Sequence, residues 1–451
     1  MLTINDIDME VEVRSKAGLD YANGKITTLF RKIFFPTLLG MIFSAAITII
    51  DGIFVGQGVG PNGIAAVNII APLYMVATGI GLMLGIGASV LAGMAMAEGD
   101  NERGSRIVSQ AFISGTVIML LIVAITLIFP TSIAKLLGCS DILMPYSLDY
   151  LCWLMPGLLF LAWSSIGMMT IRLDGSPKYA MFLNIIPAVL NIIGDYILIF
   201  PFNMGVKGAA IATAVSIAVG GVMALAYFRF SYILKLNWNL YGWYRNLKSV
   251  FSIGSSAFIT EIAMSVMMLT GNYIFMLYFG DAGVAAFSIA CYLFPLMFMM
   301  SNAVSQSAQP IISYNEGIGA SARVQRTFIL SMKVALFCGI LVSVVIMAGA
   351  KEVVALFIPL NSEAGILALK GLPIFSICAI FFALNIAYIG YYQSIGNALR
   401  AISFTLLRGV IFLVPIFYLL PMCFPSWGMW ASIPCSEFLT YIVIIVTRKV
   451  K

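Results

Sequence analysis

The hydrophobic pattern along the chain is a series of long apolar runs, without the alternation of a half-buried strand. Runs fall near 33–55, 64–96, 106–129, 146–170, 179–200, 209–228, 249–279, 284–312, 327–349, 366–393, 401–420 and 429–447, closed by charged residues or by Gly, Pro and Asn. A spanning helix needs about 20 predominantly apolar residues. A bilayer interior admits only helices and closed barrels, because every backbone polar group must find its partner inside the protein. The pattern therefore predicts an all-α membrane protein with twelve transmembrane helices and both termini on one side. Of the 25 Lys and Arg, nineteen fall in segments sharing the side of the termini and four in the opposite loops, with Lys333 and Arg408 inside runs. Such a bias puts the termini in the cytoplasm. Residues 1–32 are polar and mixed in charge (Asp6, Asp8, Glu10, Glu12, Asp20 against Arg14, Lys16, Lys25, Arg31, Lys32). With no apolar stretch before Ile33, this cytoplasmic N-terminal segment does not read as a cleavable signal.

The two halves repeat. GIAAVNI (63–69) recurs as GVAAFSI (283–289), an offset of 220 that sets Gly60 on Gly280. AEGDNERGSR (97–106) and NEGIGASAR (315–323) occupy matching loops, and DGSPKYA (174–180) lies opposite IGNALRA (395–401). Six crossings return the chain to its starting side. The expected organisation is thus two pseudo-symmetric six-helix lobes, 33–228 and 249–451, related by an axis along the membrane normal. The connection 229–248 carries Trp238, Tyr241, Trp243 and Tyr244 among four basic residues and reads as an interfacial cytoplasmic linker.

Composition excludes other classes. The chain is 61% hydrophobic and 10% charged, against about 25% charged in soluble domains. The net charge of +6 belongs to cytoplasmic loops, and no nucleic-acid partner is expected. Histidine is absent, which removes imidazole metal sites and His proton relays. The seven cysteines form no C-x-x-C pair and read as small buried hydrophobes. With no Walker, G-x-S-x-G or H-E-x-x-H motif, an ATP-driven or covalent mechanism has no carrier. What remains is a secondary transporter, not an enzyme, needing no cofactor beyond a coupling ion.

Candidate chemistry lies in the few acids inside runs: Asp51, Asp195, Glu261 and Glu437. A carboxylate at mid-membrane costs on the order of 2.5–3.5 kcal/mol even on lenient scales, so function is the default reading and a structural ion pair the bland one. Asp51 and Asp195 lie at similar depth from the outer ends of spans 1 and 5, and Thr213 reaches the same level on span 6. Asn184, Asn191 and Asp195 share one helix face. Two carboxylates, two amides and a hydroxyl make a cage of oxygens suited to a proton or a hard monovalent cation such as Na⁺. Pro187 is the expected hinge, because a bend there re-aims the Asn191/Asp195 face. Glu261 and Glu437 remain second-lobe candidates, with Arg408 able to neutralise either. The 26 methionines suit either a forgiving cavity or ordinary packing.

DGIFVGQGVG (51–60), NIIGDYIL (191–198) and the repeat near 220 together resemble the multidrug and toxic compound extrusion (MATE) family, from Ile33 to the C-terminus. The resemblance implies a V-shaped bundle of two lobes that exports amphiphilic organic cations in exchange for H⁺ or Na⁺. It implies a first-lobe cation site at Asp51, Asn191, Asp195 and Thr213. Some members use acids of the second lobe; Glu261 matches that arrangement roughly, but span 10 holds no Asp or Glu. The expected setting is the plasma (inner) membrane of a prokaryote, multi-pass, with membrane lipids as neighbours and one chain sufficing. The nearest alternatives are a lipid-linked sugar flippase of the same fold, which calls for several buried bases, and a carrier of the major facilitator type.

Overall fold

The computed structural model describes residues 19–448, apart from the side chains of Ala46, Thr48, Ile49, Pro61, Asn62, Ile64 and Asp281. The acids Asp6, Asp8, Glu10 and Glu12 and the bases Arg14 and Lys16 of the N-terminal segment lie outside the described residues. Within them the protein is all-helical. Twelve helices are long and apolar enough to cross a membrane: α1 (Ile26–Gly58), α2 (Pro61–Ala97), α3 (Asn101–Ile128), α4 (Met144–Leu173), α5 (Pro177–Ile199), α6 (Gly205–Tyr227), α7 (Trp243–Gly280), α8 (Ala282–Gly317), α9 (Ser321–Ala348), α10 (Glu363–Ser394), α11 (Ala398–Cys423) and α12 (Gly428–Thr447).

The sequence repeat is also a repeat of backbone conformation. Gly60 (φ 89°) and Gly280 (φ 58°) end α1 and α7; Gly99 (φ 84°) and Gly319 (φ 71°) separate α2 from α3 and α8 from α9. Gly175 (φ 93°) and Gly396 (φ 74°) do the same before α5 and α11. Positive φ is closed to most L side chains, so glycine recurs wherever the same turn recurs. Short helices Pro130–Leu136 and Ala350–Phe357 follow α3 and α9 in matching positions.

The chain forms two compact units, Met1–Phe258 with Ser313–Ala320, and Ile259–Ile312 with Ser321–Lys451. The boundary inside α7 has a steric cause in the first unit. Gly87 lies against the Val250 backbone and Gly254 against that of Met83, with no room for a Cβ at either. The first turns of α7 are thereby packed on α2.

In the first unit α4 is central, packed on α2 and α6. Small residues bring the backbones together: Gly157 on Ala214, Gly167 on Ala224, and Gly194 of α5 on Ala212 of α6. This is how helices associate where lipid offers no hydrophobic driving force between them. The second unit is built around aromatics instead. Phe275 stacks on Phe287 (4.6 Å) and meets Trp430 edge-on (4.9 Å), and Gly371 leaves space for the indole. Its α11 is interrupted by a π-helical turn at Leu407–Ile411.

Candidate functional site

Four helices of the first unit converge on one polar cluster. α1 supplies Asp51, α5 supplies Asn191 and Asp195 one turn apart, α6 supplies Thr213, and α4 supplies Tyr150. Asp195 and Asn191 are fully buried (0% and 1% exposed), and Tyr150 nearly so. α1 continues to Gly58, seven residues beyond Asp51, which sets that carboxyl roughly 10 Å inside the helix end.

The hydrogen bonds define what the cluster lacks. Asn191 Nδ2 donates to Thr213 Oγ1 (3.2 Å), and the Tyr150 hydroxyl lies near that of Thr213. The Asp51 and Asp195 carboxyls lie close enough to interact directly. Ionised, neither carboxylate has a proton to give the other. Accordingly Asp51 Oδ1, both carboxyl oxygens of Asp195 and Asn191 Oδ1 are buried acceptors without a donor. Neither acid forms an ion pair among the described residues. Buried acceptors are normally satisfied, and two unscreened carboxylates in contact repel strongly. The arrangement therefore calls for a proton or a small cation among these oxygens, and the donor set fits either: two carboxylates, an amide carbonyl and nearby hydroxyls are hard ligands. Phe54 packs against Tyr196 (6.3 Å) and Phe200 (5.9 Å) beside the cluster.

Of the five residues expected at the first-lobe site, the fold brings four together: Asp51, Asn191, Asp195 and Thr213. Asn184 stands apart. It shares the α5 face, but lies seven residues from Asn191, about 10 Å along the axis. There its Nδ2 lies 3.1 Å from Met168 Sδ and it packs beside Gly40 of α1. Pro187 lies inside an unbroken α5 and rests against Gly220 of α6. Tyr150 was not expected. Its position near the start of α4 looks in sequence like an ordinary interfacial tyrosine, and only the α4–α6 contact carries its hydroxyl to Thr213.

One family model, MatE, matches residues 36–197 and again 256–419, the two matches beginning 220 residues apart. The chain belongs to the MatE family. As a member it is a multi-pass membrane transporter and not an enzyme. It is 24% identical over 422 residues to the multidrug export protein MepA of Staphylococcus haemolyticus, covering 92% of each chain. It is 25% identical over 412 residues to that of Staphylococcus aureus strain NCTC 8325, covering 90% of this chain and 89% of the relative. Among solved structures its fold is similar to that of a multidrug resistance MATE family transporter of the MOP superfamily, solved in an outward-facing conformation. The TM-score is 0.88 at 21% identity, over 94% of this chain and 96% of that one. A MOP superfamily transporter from Pyrococcus furiosus superposes at a TM-score of 0.87, with 21% identity and the same coverage.

In this MatE chain the second-unit acids have different surroundings. Glu437 is committed to Arg408: Arg408 Nη2 donates to Glu437 Oε1 at 2.7 Å and Nε at 3.1 Å. Asn385 Nδ2 donates to Glu437 Oε2 at 2.7 Å, and the Arg408 guanidinium lies 4.2 Å from the Phe382 ring centroid. The expectation left Arg408 open to either acid; the fold gives it to Glu437. Glu261 is half-buried on α7 and forms no ion pair among the described residues. A water-sized cavity of about 20 Å³ lies between Thr260, Arg408 and Glu437.

A buried acid outside the spans also escaped the sequence reading. Asp174 is 1% exposed and accepts from Tyr227 OH (2.7 Å) and the N–H groups of Tyr232, Ile233 and Leu234 (2.8, 2.9 and 2.8 Å). Burial pushes its carboxyl above the ordinary value, while these donors pull the other way. In sequence it is one polar residue of a loop; in the fold it clips the start of the linker to α4.

Proposed function

We propose that this protein exports lipophilic organic cations by alternating access, in exchange for H⁺ or Na⁺ taken up at Asp51, Asn191, Asp195 and Thr213. The observation that carries the proposal is the set of buried acceptor oxygens on Asp51, Asn191 and Asp195 that have no donor. An incoming cation or proton relieves the repulsion between the two carboxylates and lets α1 and α5 draw together. That movement couples ion entry to drug release. The termini face the cytoplasm in this reading, which the distribution of Lys and Arg supports. The multidrug export named for the staphylococcal relatives supports the substrate class. So does an acid-bearing, aromatic-rich interior, which suits lipophilic cations.

The test is flux in proteoliposomes of the full-length protein, with an imposed pH gradient or an imposed sodium gradient as the only driving force. Ethidium or a quaternary ammonium dye should move uphill under one of the two, and an anionic dye of similar size should not. Equal transport of both dyes, or uphill export with Asp51→Asn and Asp195→Asn in place, overturns the reading.

A further inference from the structure

A second polar site lies in the first unit, remote in sequence from Asp51, where the α2–α3 turn meets the 229–242 linker. A cavity of about 530 Å³ is lined there by Arg103 and Arg106 of α3 and by Arg245, Asn246 and Ser249 of α7. Arg103 and Arg106 are in the first two turns of α3, and Arg245 in the first turn of α7. Three guanidinium groups thus share this space, next to the first turn of α7, whose N-cap Gly242 offers no side-chain cap.

The linker is stapled so as to build this site. Along one face of α3, Ser105 Oγ accepts from Lys235 N (3.0 Å) and Ser109 Oγ from Asn237 N (2.8 Å). Gln110 Nε2 donates to Asn239 O and Tyr241 O (3.0 and 3.1 Å), while its Oε1 accepts from Asn246 Nδ2 (2.9 Å). Trp243 Nε1 donates to Ser114 Oγ (2.9 Å). The linker is therefore held along α3, which fixes Tyr241 against the Arg106 guanidinium (5.6 Å) and fixes the start of α7.

Three acids, Glu98, Asp100 and Glu102, stand near the three arginines. Asp100 also lines the cavity and caps α3, its Oδ1 accepting from Arg103 N (2.8 Å). Arg103 pairs with Glu98 (3.1 Å) and Arg106 with Glu102 (3.3 Å), and both glutamates are exposed. The exposed Arg103–Glu98 pair contributes little and exchanges readily for a charge-assisted partner, whereas the Arg106 side chain is largely buried against Tyr241. Arg245 is exposed and has no ion-pair partner among the described residues. Leu91 and Ile107 complete the cavity with apolar walls that a free anion does not need. On the linker Trp238 is 88% exposed, and Tyr244, next to Arg245 in sequence, is 79% exposed, as aromatic rings are at headgroup level.

We propose that this cavity binds the phosphate group of an anionic phospholipid, with Arg245 as the open ligand and Arg103 and Arg106 completing the cradle. Basic pockets on the cytoplasmic side of transmembrane helices take such headgroups; the leaflet rests on the orientation proposed above, the binding itself does not. The probe is native mass spectrometry of the full-length protein in detergent doped with phosphatidylglycerol or with phosphatidylcholine, and separately with inorganic phosphate. Phosphatidylglycerol should be retained in preference to phosphatidylcholine. Arg245→Gln should weaken its retention about fivefold, Arg245→Lys much less, and the triple change Arg103→Gln/Arg106→Gln/Arg245→Gln should erase the preference. Thermal melting of each variant separates loss of the site from loss of the fold, and the exposed Arg245 carries the test alone if the triple variant melts early. Equal retention of the two lipids, or a preference that survives Arg245→Gln, overturns the proposal. Displacement of phosphatidylglycerol by inorganic phosphate overturns the lipid assignment and makes this a soluble-phosphate site. Because lipid retention is read without transport, its failure and the failure of the export reading are distinguishable.

Discussion

Asp195 is the residue whose surroundings are least compatible with a bare charge, since both its oxygens lack a donor in a buried position. Asp195→Asn should therefore leave the fold intact, with a melting temperature in detergent at or above that of the parent, while uphill dye export disappears. A melting temperature well below the parent's is the contrary result and makes Asp195 structural. Tyr150→Phe keeps the ring and removes only the hydroxyl that meets Thr213. One neutral hydrogen bond is worth about 1 kcal/mol, so the coupling-ion concentration giving half-maximal export should rise about fivefold. An unchanged half-saturation value separates Tyr150 from the cage.

At the scale of elements, polar clips decide where segments rest. Asp174 holds the start of the linker through three backbone N–H groups and Tyr227. Removing a buried, charge-assisted acceptor strands those donors, so Asp174→Ala should cost about 2–4 kcal/mol. Limited proteolysis within 229–242 should speed up accordingly, and resistance equal to the parent's shows the linker is held without it. The second unit has its own polar lock. In the repeat Arg408 corresponds to Pro187 at an offset of 221, so the π-turn of α11 lies opposite the proline that the unbroken α5 accommodates. Breaking a buried ion pair from one side costs about 3–5 kcal/mol, whereas replacing both partners with apolar residues is often neutral. Arg408→Met and Glu437→Met should each lower the melting temperature strongly, and the double variant should recover most of the loss. If the double variant is as unstable as the singles, the pair matters for something other than mutual neutralisation.

For the whole molecule, the repeat of fold is not a repeat of chemistry. At an offset of 221, Asn191 and Asp195 fall opposite Phe412 and Ile416, and Asp51 falls near Gly271 or Asn272. The second unit fills its interior with Phe275, Phe287, Phe417 and Trp430. Coupling should consequently depend on the first unit. Under an imposed gradient of 100 mV an ion contributes about 2.3 kcal/mol per charge, roughly a fiftyfold bias. That bias should be lost in Asp195→Asn and kept in Glu261→Gln, with dye binding retained in both. The opposite pattern would move the coupling site to the second unit.

Local chemistry made much of this legible without a structure. Twelve crossings follow from apolar length, because a bilayer demands about 20 such residues per helix wherever they occur. The repeat follows from glycines at turns that only glycine forms readily, and the first-unit acids stand out because charge inside a span is rare. What the tertiary structure decided is which helix faces meet, and that depends on contacts between residues remote in sequence. Gly157 against Ala214 and Gly194 against Ala212 let α4, α5 and α6 approach, which admits Tyr150 to the cage and leaves Asn184 two turns outside it. The choice of Glu437 over Glu261 by Arg408, and the stapling of the linker to Ser105, Ser109 and Gln110, have the same origin. Each joins groups whose sequence separation erases any periodic signal, so only the packed chain could pair them.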